Sequence, residues 1–124
     1  MSEDPRTTAL RTALEAMPGA VCGSLPSAPG VTLYKVMGKM FAILEVRKVQ
    51  VVILKCDPHL AETMREQYTG IGHRSHLDRR FWIAVSLDAD VPVEEIVRLA
   101  GHSYDLVRDK LTRKQKAELA ALSV

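Results

Sequence analysis

Positions 73–82 read HRSHLDRRFW, so Arg74, Arg79, Arg80 and two histidines stand within ten residues that end on Trp82, the one tryptophan of the chain. Phosphate recognition needs cations that converge in space, and arginine's planar fork matches phosphate oxygens better than lysine's point charge does. Lys35, Lys39 and Lys55 fall at the ends or turns of predicted strands. They would join the three arginines in one phosphate-binding surface if the hairpin tips lie beside residues 73–80. The same residues also fit a solvated loop in which Arg80 pairs with Asp78 or with a helix carboxylate. Trp82 divides in the same way. Its indole offers a flat face on which a base can stack, while a lone tryptophan in an alternating strand is also the usual core or subunit-interface anchor.

Other residues carry weaker chemistry. A second basic group, Arg108, Lys110, Arg113, Lys114 and Lys116, surrounds the junction of two predicted helices. Cations there complement a helix C-terminus, which is sufficient reason for Arg108 and Lys110. His73 and His76 have an H-x-x-H spacing that brings two imidazoles to one metal on a helix, but they sit between glycines and arginines with no third ligand nearby. Cys56 precedes a helix start, where a thiol pKa can be lowered, and also ends an apolar strand, where a buried thiol is inert. The chain contains no G-x-S-x-G, P-loop or dinucleotide fingerprint, and no carboxylate pair stands out as an acid/base couple. The expectation is a protein without catalytic residues, metal or cofactor.

The elements that must position these residues belong to one domain spanning residues 1–124. A chain of that length buries roughly two-thirds of its unfolded surface without a staple. Seventeen Lys and Arg against fifteen Asp and Glu leave a charge of +2. That is too small to imply a nucleic-acid or membrane partner unless the charge is segregated. Two cysteines do not make a disulfide framework. No apolar run approaches a membrane span, and MSEDPRTT lacks the features of a signal peptide. A cytoplasmic protein with no membrane partner is expected.

Leu10, Leu14 and Met17 recur at helical spacing after the candidate caps Thr7 and Thr8, and Pro18-Gly19 stops the run. Residues 20–30 allow at most one irregular or edge strand. VTLYKV, KMFAILEV and VQVVILKC are rich in β-branched and aromatic residues, and Met37-Gly38 and Arg47-Lys48 separate them. This predicts a three-stranded antiparallel meander. Asp57 caps a helix that begins with Pro58 and runs to about Gln67, where Gly70 and Gly72 break the chain. FWIAVSL then forms an inner strand, with Phe81, Ile83, Val85 and Leu87 on one face and Trp82, Ala84 and Ser86 on the other. The longest helix covers about 92–110 through Ile96, Leu99, Ala100, Ser103, Leu106 and Val107. Thr112 and Gln115 match a capping box for a last helix to about Leu122. The order predicts an α+β domain of two layers, an antiparallel sheet of about five strands with helices packed on one face.

With these pieces in order, YKVMGKMFAIL, LKCDPHLAETMREQY, HLDRRFW and VPVEEIVRLAGHSYDLV, the chain resembles the MmcQ/YjbR family of small bacterial proteins over about residues 8–122. The resemblance implies a fold similar to the secretion-chaperone and frataxin-like folds. It also implies the DNA-binding label that the family carries, with β-hairpins proposed as paired wings. Members commonly have an asparagine, lysine, arginine, histidine, tryptophan run where this chain has Asp78, Arg79, Arg80, Phe81 and Trp82.

The resulting expectation is a non-catalytic DNA-binding module. Lys35, Lys39, Lys55, Arg74, Arg79, Arg80 and Trp82 would form its nucleic-acid surface, and DNA would be held through phosphate contacts with little base reading. The alternative is a protein-interaction or chaperone-like module acting through an apolar sheet or helix face. For either reading a monomer or weak homodimer is expected.

Overall fold

The computed structural model describes residues 3–73 and 76–122. Its elements run α1 (Pro5–Glu15), β1 (Ala20–Leu25), β2 (Ala28–Val36), β3 (Lys39–Val46), β4 (Gln50–Lys55), α2 (Pro58–Gln67), β5 (Ile71–Gly72), β6 (Trp82–Ser86), α3 (Val93–Asp109) and α4 (Arg113–Leu122). The strands form one sheet in the order β1-β2-β3-β4-β6-β5, with every neighbouring pair antiparallel. The predicted α+β fold is therefore present, with six strands rather than about five. The helices pack against the sheet, and among the described residues none is long and apolar enough to cross a membrane.

Local chemistry explains most boundaries. Asp57 accepts from the backbone N–H groups of His59 and Leu60 at 3.0 and 3.2 Å, so α2 begins where a carboxylate satisfies free donors and Pro58 removes one. Thr112 Oγ1 accepts from the Gln115 N–H at 3.1 Å, while the Gln115 side chain accepts from the Thr112 N–H at 3.0 Å, completing the capping box of α4. The cap of α1 is Asp4, which accepts from the Arg6 N–H at 2.8 Å. Thr7 lies inside that helix, fully buried, and donates to the Gln50 side chain at 2.5 Å. The expected threonine caps are corrected accordingly.

Residues 20–30 hold β1 and the start of β2 rather than a single weak strand. Met37 and Gly38 both have positive φ, 48° and 80°, as a type I′ hairpin turn requires. The β3–β4 connection needs three residues, because Val46 pairs with Gln50.

Across the sheet, Tyr34, Ala42, Leu54 and Ile83 stand in register on one face, as do Leu44, Val52, Val85 and Ile71. They form one core with Leu10 and Leu14 of α1, Ala61 and Met64 of α2, and Ile96, Leu99, Ala100, Tyr104 and Val107 of α3. Tyr104 was absent from the predicted stripe. Leu33, Ile43, Ile53 and Ala84 align on the opposite face. Ile53 is buried but lies outside the main core. Phe81 was expected inside and is instead 37% exposed, because β6 begins one residue later, at Trp82.

Candidate nucleic-acid interface

One margin of the sheet gathers lysines around the tryptophan. The type I′ turn sets Lys39 at the tip of the β2–β3 hairpin, and Lys35 returns beside it, exposed and paired in register with Met40. Lys55, the last residue of β4, pairs with Trp82, the first of β6. The α3 helix ends nearby with Lys110 as its C-cap. Lys39, Met40, Lys55, Trp82, Val107 and Lys110 consequently line one open groove of about 410 Å³. Among the described residues, three of the six that line it are lysines and none is a carboxylate. The Lys55 Nζ lies 6.0 Å from the Trp82 ring centroid, within reach of a cation–π attraction.

A β-bulge and a serine hold this margin in shape. Opposite β2, the register steps from Tyr34 with Ala42 to Lys35 with Met40, so Phe41 is an extra residue in β3. Its ring turns into the core and meets Tyr104 edge to face, with centroids 5.4 Å apart. The bulge also ends the β3–β4 ladder, whose last pair is Ala42 with Leu54. Ser103 bridges the gap: its hydroxyl donates to the Phe41 carbonyl at 2.6 Å and accepts from the Lys55 N–H at 2.9 Å. His102 Nε2 accepts from the Asp57 N–H at 3.3 Å, one turn of chain further on. The HS pair of HSYDLV thus pins α3 to the end of β4. Between Lys55 and Asp57, the Cys56 thiol is 1% exposed. Burial, with the Asp57 carboxylate adding, pushes it up to about 11. The reactive-thiol reading fails on that burial.

The arginines of the 73–82 segment lie elsewhere. Arg79 and Arg80 line a second groove with Pro58, Glu62, Arg65 and Glu66. Arg80 donates to both oxygens of Asp78, at 3.2 and 2.9 Å, and this holds the Asp78 carboxyl below its ordinary pKa. Three arginines and two glutamates line it, and Asp78, bonded to Arg80 beside it, brings the formal charges to balance. Arg80 also rests on Phe81, its guanidinium 5.3 Å from the ring centroid. The solvated-loop reading therefore holds for Arg80. Arg74 lies outside the described residues. The His73 Nε2 is hydrogen-bonded to the Leu77 carbonyl at 2.7 Å, and His76 is exposed.

Arg65 organises this connector and was missed by sequence reasoning. Its guanidinium donates to the carbonyls of Arg79, Trp82 and Gly72 at 2.7, 2.9 and 3.4 Å. Burial, together with the neighbouring Arg79 charge, lowers its pKa. Of the predicted surface, the fold brings together Lys39, Lys55 and Trp82 and adds Lys110; Lys35 lines an adjoining hollow with Val21, Cys22 and Leu33, and Arg79 and Arg80 lie in the neighbouring groove. From the second basic cluster, Arg108 pairs with Asp105 at 3.3 Å and Asp109 at 3.6 Å.

A helix-backed, open antiparallel sheet with a basic hairpin margin defines the class: a small two-layer α+β domain. The chain belongs to the YjbR family, whose family model matches residues 15–106. It is 33% identical over 92 residues to the uncharacterized protein YjbR of Escherichia coli K12, an alignment covering 73% of this chain and 78% of that protein. It is 29% identical over 110 residues to the uncharacterized protein YbdF of Escherichia coli O157:H7, covering 88% of each. Among solved structures, Deinococcus radiodurans protein DR2400, with a DUF419 domain, superposes with a TM-score of 0.80 at 28% identity, covering 91% of this chain and 86% of that one. A Pseudomonas syringae protein shares the fold at a TM-score of 0.69 and 21% identity, covering 83% of this chain and 98% of its own.

Proposed function

We propose that this chain is a non-catalytic module that binds DNA through its phosphates at the lysine-lined margin. Lys39, Lys55 and Lys110 hold phosphates in the groove, and Lys35 supports them from the hairpin. The observation that carries this reading is the convergence of three lysines from three separate elements on one groove that, among the described residues, no carboxylate lines. Lys110 also complements the α3 C-terminus, so part of its charge is spent within the fold. The interface thereby moves from the 73–80 arginines to the strand ends. Arg80 contributes less because Asp78 takes its Nε and one Nη2 donor and offsets its charge.

The test is a fluorescence-anisotropy titration with labelled DNA at two salt concentrations. With about four phosphates neutralised, affinity falls roughly a hundredfold between about 50 and 200 mM salt. Lys39→Ala, Lys55→Ala and Lys110→Ala each weaken binding and lower the salt slope by about one. Arg80→Ala changes it little. No binding at low salt, or a loss confined to Arg79→Ala and Arg80→Ala, contradicts the proposal. Absent binding combined with self-association would instead favour the interaction-module reading. The uncharged, exposed edge strand β1 is the element suited to such pairing.

A further inference from the structure

We infer that the lysine groove takes single-stranded nucleic acid in preference to duplex, stacking one unpaired base on the indole of Trp82. This inference rests on the phosphate-binding reading above and adds the form of nucleic acid to it.

Three observations carry it. First, Trp82 is half-buried at the groove wall instead of enclosed in the core, and it lies outside the cluster of core residues. A buried anchor tryptophan normally gives its ring N–H a protein partner. Here the ring is partly open to solvent, no hydrogen bond from its N–H is formed among the described residues, and the Lys55 ammonium lies 6.0 Å from the ring centroid. Second, the sheet beside Trp82 is low on its β5 side, although Ile53 of β4 stands across from Ala84 on the other. The next residue on the same face of β6 is Ala84, and its partner in β5 is Gly72. No tall side chain from those two positions stands next to the ring. Third, the groove of about 410 Å³ has the size of a small-molecule site, and its other walls are the Met40 and Val107 side chains and the lysines.

An unpaired base brings a flat π face and a flanking phosphate together, and the groove offers an indole and ammonium groups at matching places. A duplex keeps its base faces stacked on each other. It can offer this groove phosphates but no base face, so the stacking contribution is lost. Stacking on an aromatic tolerates any base, which agrees with a site that has no built set of base-edge donors and acceptors.

Trp82 is the only tryptophan, so intrinsic fluorescence reports this one ring. The native protein is titrated at low salt with a short oligothymidylate, a duplex of equal phosphate number, and inorganic polyphosphate. Strong quenching by the oligothymidylate, weak quenching by the other two, and roughly tenfold or tighter single-strand affinity are expected. Trp82→Ala removes the single-strand preference while duplex binding persists. Trp82→Phe, which retains a ring and guards against a folding defect, keeps part of it. Equal affinity for all three ligands without selective quenching overturns the inference and leaves phosphate binding standing. A Trp82→Phe variant that is folded and no different from Trp82→Ala also overturns it. No binding of any of the three ligands overturns both readings.

Discussion

Cys22 and Cys56 differ only in where the chain puts them, and the difference is chemical. Cys22 is exposed on β1, whereas Cys56 is buried between β4 and α2 with its pKa raised from 9.0 to about 11. A native-state thiol titration at pH 8 is expected to modify Cys22 and to reach Cys56 only on unfolding. The sign of the pH effect follows from linkage. The folded chain holds the Cys56 proton more tightly than the unfolded chain, so the stability contribution is complete below about pH 9 and is lost as pH rises toward 11. Burial raises Tyr34 and Tyr104 as well, in the same direction. Melting temperatures between pH 8 and 11 should therefore fall, and Cys56→Ala should flatten the decline while the tyrosine part remains. At this scale the sequence was legible where partners are near in the chain. Asp78 and Arg80 are two residues apart and their pairing could be foreseen. Arg65 reaches carbonyls 14 and 17 residues away, and nothing in its local pattern distinguishes it from a solvated helix arginine.

Among the elements, the junction of β3, β4 and α3 shapes the lysine margin, and Ser103 holds it. Replacing Ser103 with Ala leaves the buried Phe41 carbonyl and the partly buried Lys55 N–H without their partner, which costs about 1–3 kcal/mol. Chemical denaturation of the variant checks this, and an unchanged midpoint would show that the bridge carries no stability. The helices and the central strands could be read from sequence because their signals are local. Pro58 and the Asp57 cap, the Thr112–Gln115 box and the alternation in β3, β4 and β6 all lie within a few residues. The edge strand β5 could not, and β1 only as a weak, unbounded strand within residues 20–30. A run such as AVCGSL is uncharged but has little β preference, and it becomes a strand because β2 pairs with it along its length. Two residues, Ile71 and Gly72, make β5 only because β6 supplies Val85 and Ala84. The bulge at Phe41 likewise depends on the register of its neighbours.

For the molecule as a whole, a formal charge of +2 says little, because topology sorts the charges into unequal places. Among the described residues, one groove balances three arginines against three carboxylates, counting Asp78, and another gathers three lysines with none. That sorting required Lys39, Lys55 and Lys110 to arrive from a hairpin tip, a strand end and a helix end. Sequence reasoning supplied Lys35, Lys39, Lys55 and Trp82 as candidates. It read Lys110 as a helix-dipole partner and placed the arginines with the lysines, because linear spacing does not reveal which grooves a sheet margin separates. Heteronuclear NMR mapping of amide shifts, during titration with a short single-stranded oligonucleotide at low salt, tests the location directly. The largest changes are expected at Lys39, Met40, Lys55, Lys110 and Trp82, its indole N–H included, with small changes at Arg79 and Arg80. Shifts centred on Glu62, Arg65 and Arg79, or no shifts at all, would contradict the lysine margin as the nucleic-acid interface.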